Sequence, residues 1–163
     1  MSFRHHGYRA TLIRANIAIT SGREQWEAAI ALLRSVADPH EYYASATLAQ
    51  ILRKQDPASR QAQELFQNSY LAIRDLGHLQ AVVEVRSKIL LLLVAGMCAQ
   101  YTAGYTAMAE EHLVEAEGLL ASLPERDGQP CTVFSTLSKR NVDKSVVLAD
   151  IDALRRGSVL NDV

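Results

Sequence analysis

The chain is poor in the residues that interrupt helices and in those that make covalent or metal frameworks. Its 163 residues include four prolines and eight glycines, too few turn-makers for a fold of many short strands. The two cysteines, Cys98 and Cys131, lie far apart and form no C-x-x-C, which excludes a disulfide scaffold and a cysteine-built zinc site. Both are expected to be free thiols in a reducing compartment, the cytoplasm. Neither sign of charge prevails: 17 Lys and Arg stand against 18 Asp and Glu, so no overall field draws in nucleic acid. Trp26, Tyr42, Tyr43, Tyr70, Tyr101 and Tyr105 are not interleaved with a basic patch, so a nucleic-acid partner is not expected. The longest apolar run, Ile89–Cys98, has ten residues, well short of the roughly 20 that span a bilayer. "MSFRHHGYRA" at the start lacks the apolar core of a signal peptide, and no membrane partner is expected.

Signatures of catalysis are missing too. Cys131 sits between Pro130 and Thr132 with no recognisable His or Asn companion pattern. Ser135 and Ser138, in "FSTLSKRN", lack a G-x-S-x-G elbow. No glycine-rich loop followed by Lys-Ser/Thr could cradle a phosphate. In "EEHLVEAE", neither Glu110 nor Glu111 stands three residues before His112, and the Glu-x-x-His of di-metal bundles has no second copy. That segment is read as a solvated acidic face. His5 and His6 have no carboxylate or cysteine support, and His40 and His78 read as surface turn residues. No catalytic residue, no metal site and no cofactor are expected, and the protein is expected not to be an enzyme.

What the sequence does contain is helical punctuation. Ser21–Gly22 closes a first helix over about 8–21, and a second covers about 24–37 with Trp26, Ala29, Ile30, Leu33 and Val36 on one face. "ADPHEY" offers Asp38 as a cap, Pro39 at the first helical position and Glu41 at the third. "QDPAS" repeats the device with Asp56 and Pro57. Gly77 is placed as a left-handed helix stop. A long fifth helix, about 79–102, ends before Gly104, and a sixth covers about 105–122. Residues 124–142 read as a loop, with "CTVFSTLSKRNV" irregular and mostly extended. A last helix over 143–156 ends at Gly157. Its Val147, Ile151 and Leu154 point inward and its Asp150, Asp152, Arg155 and Arg156 outward. Short turns imply antiparallel neighbours, giving hairpins over 8–37, 39–77 and 79–123 in one helical domain.

The second helices share a pattern. Aligning Ala29, Ala62 and Ala109 places Leu33, Phe66 and Leu113 four residues on, and Val36, Ser69 and Ala116 seven residues on. Small residues on a buried stripe let helix backbones approach closely. The first interval, 33 residues from Ala29 to Ala62, is close to a tetratricopeptide period; the second, 47, needs an extended unit. Over about residues 8–123 the chain resembles the tetratricopeptide family, while "ATLIRANIAI" and "YYASATLAQIL" keep only the hydrophobic spacing of that family's first helices. A non-repeat bundle would also use small residues at close crossings.

The resemblance implies an all-α, right-handed stack of about three hairpins with 143–157 as a capping helix. It further implies a concave groove lined by first helices, where Arg14, Asn16, Gln50, Arg53, Arg86 and Lys88 would hold a peptide or helix. A scaffold for a protein or peptide partner is the function expected on this reading. The alternative is a regulatory module binding a small ligand between helices, with a closed apolar cavity near Met97, Cys98 and Met108. Leu12, Ile13, Ile17 and Ile19 spread widely around the first helix. A preceding domain of a longer protein, or a second copy in a homodimer, is expected to cover it.

Overall fold

The structure, a computed structural model, describes residues 2–36, 41–125 and 127–162, with side chains from Tyr8 onward. Helices predominate, beside one small two-stranded sheet. Helix α1 (Ser2–Ser21) and, after a 3-10 turn at Arg23–Gln25, α2 (Trp26–Arg34) form the first pair. The indole of Trp26 locks them, its Nε1 donating to the Ile19 carbonyl at 3.1 Å. Helices α3 (Tyr42–Gln55) and α4 (Arg60–Asp75) form the second pair. After the short α5 (His78–Ala81), α6 (Val85–Ala99) and α7 (Met108–Ser122) form the third. Each helix packs on the next along the chain: α1 on α2, α2 on α3, α3 on α4, α4 on α6 and α6 on α7.

The aligned small and large residues of the second helices are buried in all three pairs: Ala29 and Leu33, Ala62, Phe66 and Ser69, Ala109, Leu113 and Ala116. A close approach is legible at Gly96 on α6. A β-carbon there would stand 2.7 Å from Leu113 Cδ2 and 3.4 Å from the Ala109 carbonyl, so only glycine lets α7 come so near. Ala62 is wholly buried. Ala62→Leu is therefore expected to cost about 1–3 kcal/mol by overpacking, read as a lowered urea midpoint; an unchanged midpoint would contradict close packing at this position.

Several boundaries differ from the sequence expectation, each for a local reason. Asp38 and Pro39 lie outside the described residues. Glu41, expected at the third helical position, is itself the cap of α3, its carboxylate accepting from Tyr43 N. Asp56 does not open α4. As the residue before Pro57 it is extended because the proline ring disfavours the helical region there, and its carboxylate accepts from Ala58 N. Ser59 caps α4 instead, accepting from Ala62 N at 3.1 Å. Gly77 is left-handed as expected, with φ 70°, but the helix after it is broken. Glu84 restarts α6 by accepting from Arg86 N and Ser87 N, and those bonds hold its pKa below the ordinary carboxylate value.

The larger difference lies in 124–142, which is not all loop. Strands β1 (Thr132–Ser135) and β2 (Arg140–Asp143) pair antiparallel, Val133 opposite Val142 and Ser135 opposite Arg140. Lys139 closes their turn in the left-handed region, φ 60°, with its N–H on the Ser135 carbonyl at 2.8 Å. Asp143 then caps α8 (Lys144–Arg155), accepting from Ser145 N. Val147, Ile151 and Leu154 point inward as expected, but Asp150 is buried too, accepting from Ser135 Oγ at 2.7 Å. Burial raises the Asp150 pKa, and the Ser135 bond opposes that rise.

The unit β1–β2–α8 explains why two helices are buried all round. Ala46–Ile51 of α3 and Leu91–Ala99 of α6 are unbroken buried runs; at 3.6 residues per turn such runs pass completely round a helix. One side of each is met by α4 or α7. The other is met by the C-terminal unit, with α8 and β1 on α6 and Lys139 of the β-turn on α3. Gln100 donates to the Leu154 carbonyl at 2.7 Å and Tyr101 to that of Gly157 at 3.1 Å, which fixes the end of α8.

Candidate functional site

The six residues expected to line one groove are not brought together. Gln50 is wholly buried; its Nε2 donates to the Thr136 carbonyl at 3.0 Å and to that of Val159. It binds the chain's own C-terminal unit and meets no solvent. Asn16 is half-buried and donates to the Tyr43 hydroxyl at 3.3 Å. Arg53 donates to the Pro57 carbonyl at 2.9 Å and lies over the Tyr101 ring, 4.5 Å from its centroid. Arg86 reaches the Thr132 carbonyl and Cys131 Sγ, while Lys88 donates to the Leu79 carbonyl. These five hold their own fold. Of these five, Gln50 and Arg86 meet residues 131–162, and Arg14 lines an open groove.

That groove runs between α1 and α2. It has a volume of about 480 Å³ and is lined by Arg14, Ile17, Ala18 and Leu32, with Ser21, Glu24 and Gln25 at its end. Ile13 and Ile17, one helical turn apart, are 51% and 59% exposed. Ile19, expected on the same open surface, is instead buried. Arg9 and Arg14 stand one helical turn from Ile13 and Ile17 respectively, so the stripe is apolar and basic together.

A second concavity lies between α4, α5 and α7. Its volume is about 390 Å³, in the range of small-molecule sites. Tyr70 and His112 form its floor. Their hydroxyl and Nε2 are 2.8 Å apart, and both residues are buried. Tyr105 stands beside them, its ring centroid 5.4 Å from that of Tyr70. Leu79 and Met108 complete the walls, and Arg74, Gln80 and Gly104 the rim. The Arg74 guanidinium lies 4.9 Å from the Tyr105 centroid and bonds Asp75 at 3.0 Å.

His112 is thus part of a buried aromatic pair, and the acidic-face reading holds only for its exposed neighbours Glu110, Glu111 and Glu115. Desolvation lowers the His112 pKa against the opposing pull of Glu115 and Glu111, which favours the neutral imidazole. Desolvation likewise raises that of Tyr70, with Arg74 opposing. The floor is uncharged, and Arg74 is the one charged residue among those lining the cleft. Of the cavity expected near Met97, Cys98 and Met108, only Met108 lines this cleft; Met97 and Cys98 are buried in the core.

A third polar group has no opening. Lys139 is 3% exposed, its Nζ 3.1 Å from Thr47 Oγ1 and 4.7 Å from the Tyr43 ring centroid. Burial pushes its pKa down to about 7, slightly countered by the Cys98 thiol. "CTVFSTLSKRNV" reads as irregular and mostly extended, and nothing in the polarity of "LSKRN" signals a buried amine. No helix among the described residues is long and apolar enough to cross a membrane, and both cysteines are free thiols. The chain matches no protein-family model, no curated protein and no solved structure.

Proposed function

We propose that this protein is a non-enzymatic interaction module of the tetratricopeptide kind, a right-handed stack of three helical hairpins capped by α8, working in the cytoplasm. Its docking surface is the outer stripe of α1 with the adjoining α1–α2 groove, and its partner is an acidic amphipathic helix. The observation that carries this reading is the asymmetry of the two ends. At one end α8 lays Val147, Ile151 and Leu154 against α6, α7 and β1, the polar-faced cover a stack requires. At the other, Ile13 and Ile17 lie open beside Arg9 and Arg14. Within the fold, α3 receives α2 and α6 receives α4. Like charges on α1 disfavour a homodimer through two copies of this helix and favour glutamates opposite Arg9 and Arg14.

A labelled helical peptide with leucines at i, i+3, i+4 and i+7 and flanking glutamates is expected to bind wild type and to lose at least tenfold in affinity to Ile17→Glu. Its lysine counterpart is expected not to bind, and binding should weaken with salt as exposed charges are screened over about 8 Å at physiological ionic strength. Because Ile17 is exposed, the melting curve should barely move. Equal affinity of both peptides, or of both proteins, would refute this docking surface.

A second reading, a module that binds a small ligand between helices, is favoured by the closed-floored aromatic cleft of Tyr70, Tyr105, Met108 and His112. The two readings use different faces and do not compete.

A further inference from the structure

We infer that the α4–α5–α7 cleft binds a flat aromatic carboxylate, ring inward against Tyr70 and Tyr105 and carboxylate outward at Arg74. The inference rests on the second reading above and adds the ligand's chemistry. Three features converge on it. The walls are aromatic and aliphatic, and the tilted Tyr70 and Tyr105 rings, 5.4 Å apart, offer π-faces for edge or offset contact. The floor is polar but neutral: the hydroxyl of Tyr70 and Nε2 of His112 share one hydrogen bond. When Tyr70 donates that bond, its oxygen keeps a lone pair that can accept from a ligand hydroxyl or N–H. The charge is at the mouth. Arg74 is already held over Tyr105 with one nitrogen on Asp75; a guanidinium has five N–H donors, so those not on Asp75 can meet a carboxylate. Arg74, the one charged residue of the lining, has donors beyond the one on Asp75, and with the uncharged floor it orients an anionic aromatic in one direction. A carboxylate at the floor would lose its hydration with no cation to meet it.

The test uses two probes of one shape on the whole protein: 6-hydroxy-2-naphthoate, which has both polar ends, and its neutral amide. Binding is followed by probe fluorescence and by the His112 imidazole signals in NMR. The carboxylate is expected to saturate, shift the His112 signals and bind about tenfold more tightly than the amide. Arg74→Gln, at an exposed position, should remove that preference without changing the melting curve. Tyr70→Phe should weaken both probes. Equal binding of the two probes with His112 shifts overturns the carboxylate class and leaves the ligand-module reading standing. Failure of both to shift His112 overturns the class and the module reading together. Tight carboxylate binding that survives Arg74→Gln overturns the assignment of Arg74.

Discussion

Gln50→Ala is expected to loosen the C-terminal unit from α3 and to lower the unfolding free energy by about 2–5 kcal/mol. The Gln50 Nε2 serves two carbonyls at once, those of Thr136 in the β-turn and Val159 beyond α8. Both residues are buried, so water does not readily replace the lost donor. A buried acceptor left unmade costs about 1–3 kcal/mol, and truncation to alanine adds a cavity. One term opposes these: the Gln50 Oε1 is itself buried without a hydrogen-bond partner, and alanine removes that burden. Gln50→Glu should be worse than alanine, because a carboxylate would face the same two carbonyls. Hydrogen exchange locates the effect. Amides of β1, β2 and α8 should lose protection in Gln50→Ala, while those of α1 and α2 change little. Unaltered protection across 132–155 would mean that the unit is held without Gln50.

Gln50 also shows where sequence reasoning reaches its limit. Its position on a helix beside Arg53 was legible. What the sequence could not reveal was that residues 131–162 return to pack on that helix. The strands are four residues long, and the inward position that should read as apolar is Ser135, bonded to Asp150. Period-two alternation is therefore absent where the chain is nonetheless extended. The helices were easier because apolar periodicity runs over three or more turns and Gly77 takes the left-handed conformation. At Asp56 the proline signal outweighed Ser59, which does the capping. The cleft was not legible, since Tyr70, Tyr105 and His112 come from separate elements and His112 hides among glutamates. The apolar breadth of α1 was legible in Ile13 and Ile17, though Ile19 turned inward to meet Trp26.

Stability should rise as pH increases from about 7 to 8.5, and Lys139→Met should abolish that rise. Lys139 is buried with no carboxylate among its contacts in the described residues. From α3 it is faced by the Tyr43 phenol and Thr47 hydroxyl, and from α6 by the Cys98 thiol. Asp150 of α8 is bonded to Ser135, four residues away in the β-hairpin, and to the hydroxyl there. Burial sets the Lys139 pKa at about 7 in the folded chain, against about 10.4 when unfolded. Below pH 7 both states hold the proton, and the full cost of a buried ammonium is present. Between the two values the unfolded chain holds a proton that the folded chain has shed, so stability climbs with pH. The gain from pH 7 to 8.5 is about 1.5 kcal/mol.

Above about 8.5 the slope is masked. Burial raises the Cys98 and Tyr43 pKa values, so the unfolded chain loses those protons first, from about 8.5 for a thiol, and stability is drawn down. Below 7 the lowered pKa of His112 adds a rise that ends near its unfolded value of about 6.5. From 7 to 8.5 the Lys139 contribution is the largest, and the comparison with Lys139→Met, which keeps the thiol and the imidazole, isolates it. Methionine keeps the length of the side chain, carries no charge and leaves the strained backbone at φ 60° unchanged, so the two proteins differ chiefly in the amine. Lys139→Met should melt higher than wild type at pH 7, and the gap should narrow at pH 8.5. Urea titrations of both proteins at these two pH values measure it. A variant that retains the wild-type slope would show that the slope belongs to another group, and one that melts lower at pH 7 would show that the amine's bonds to Thr47 and Tyr43 outweigh the cost of burying its charge.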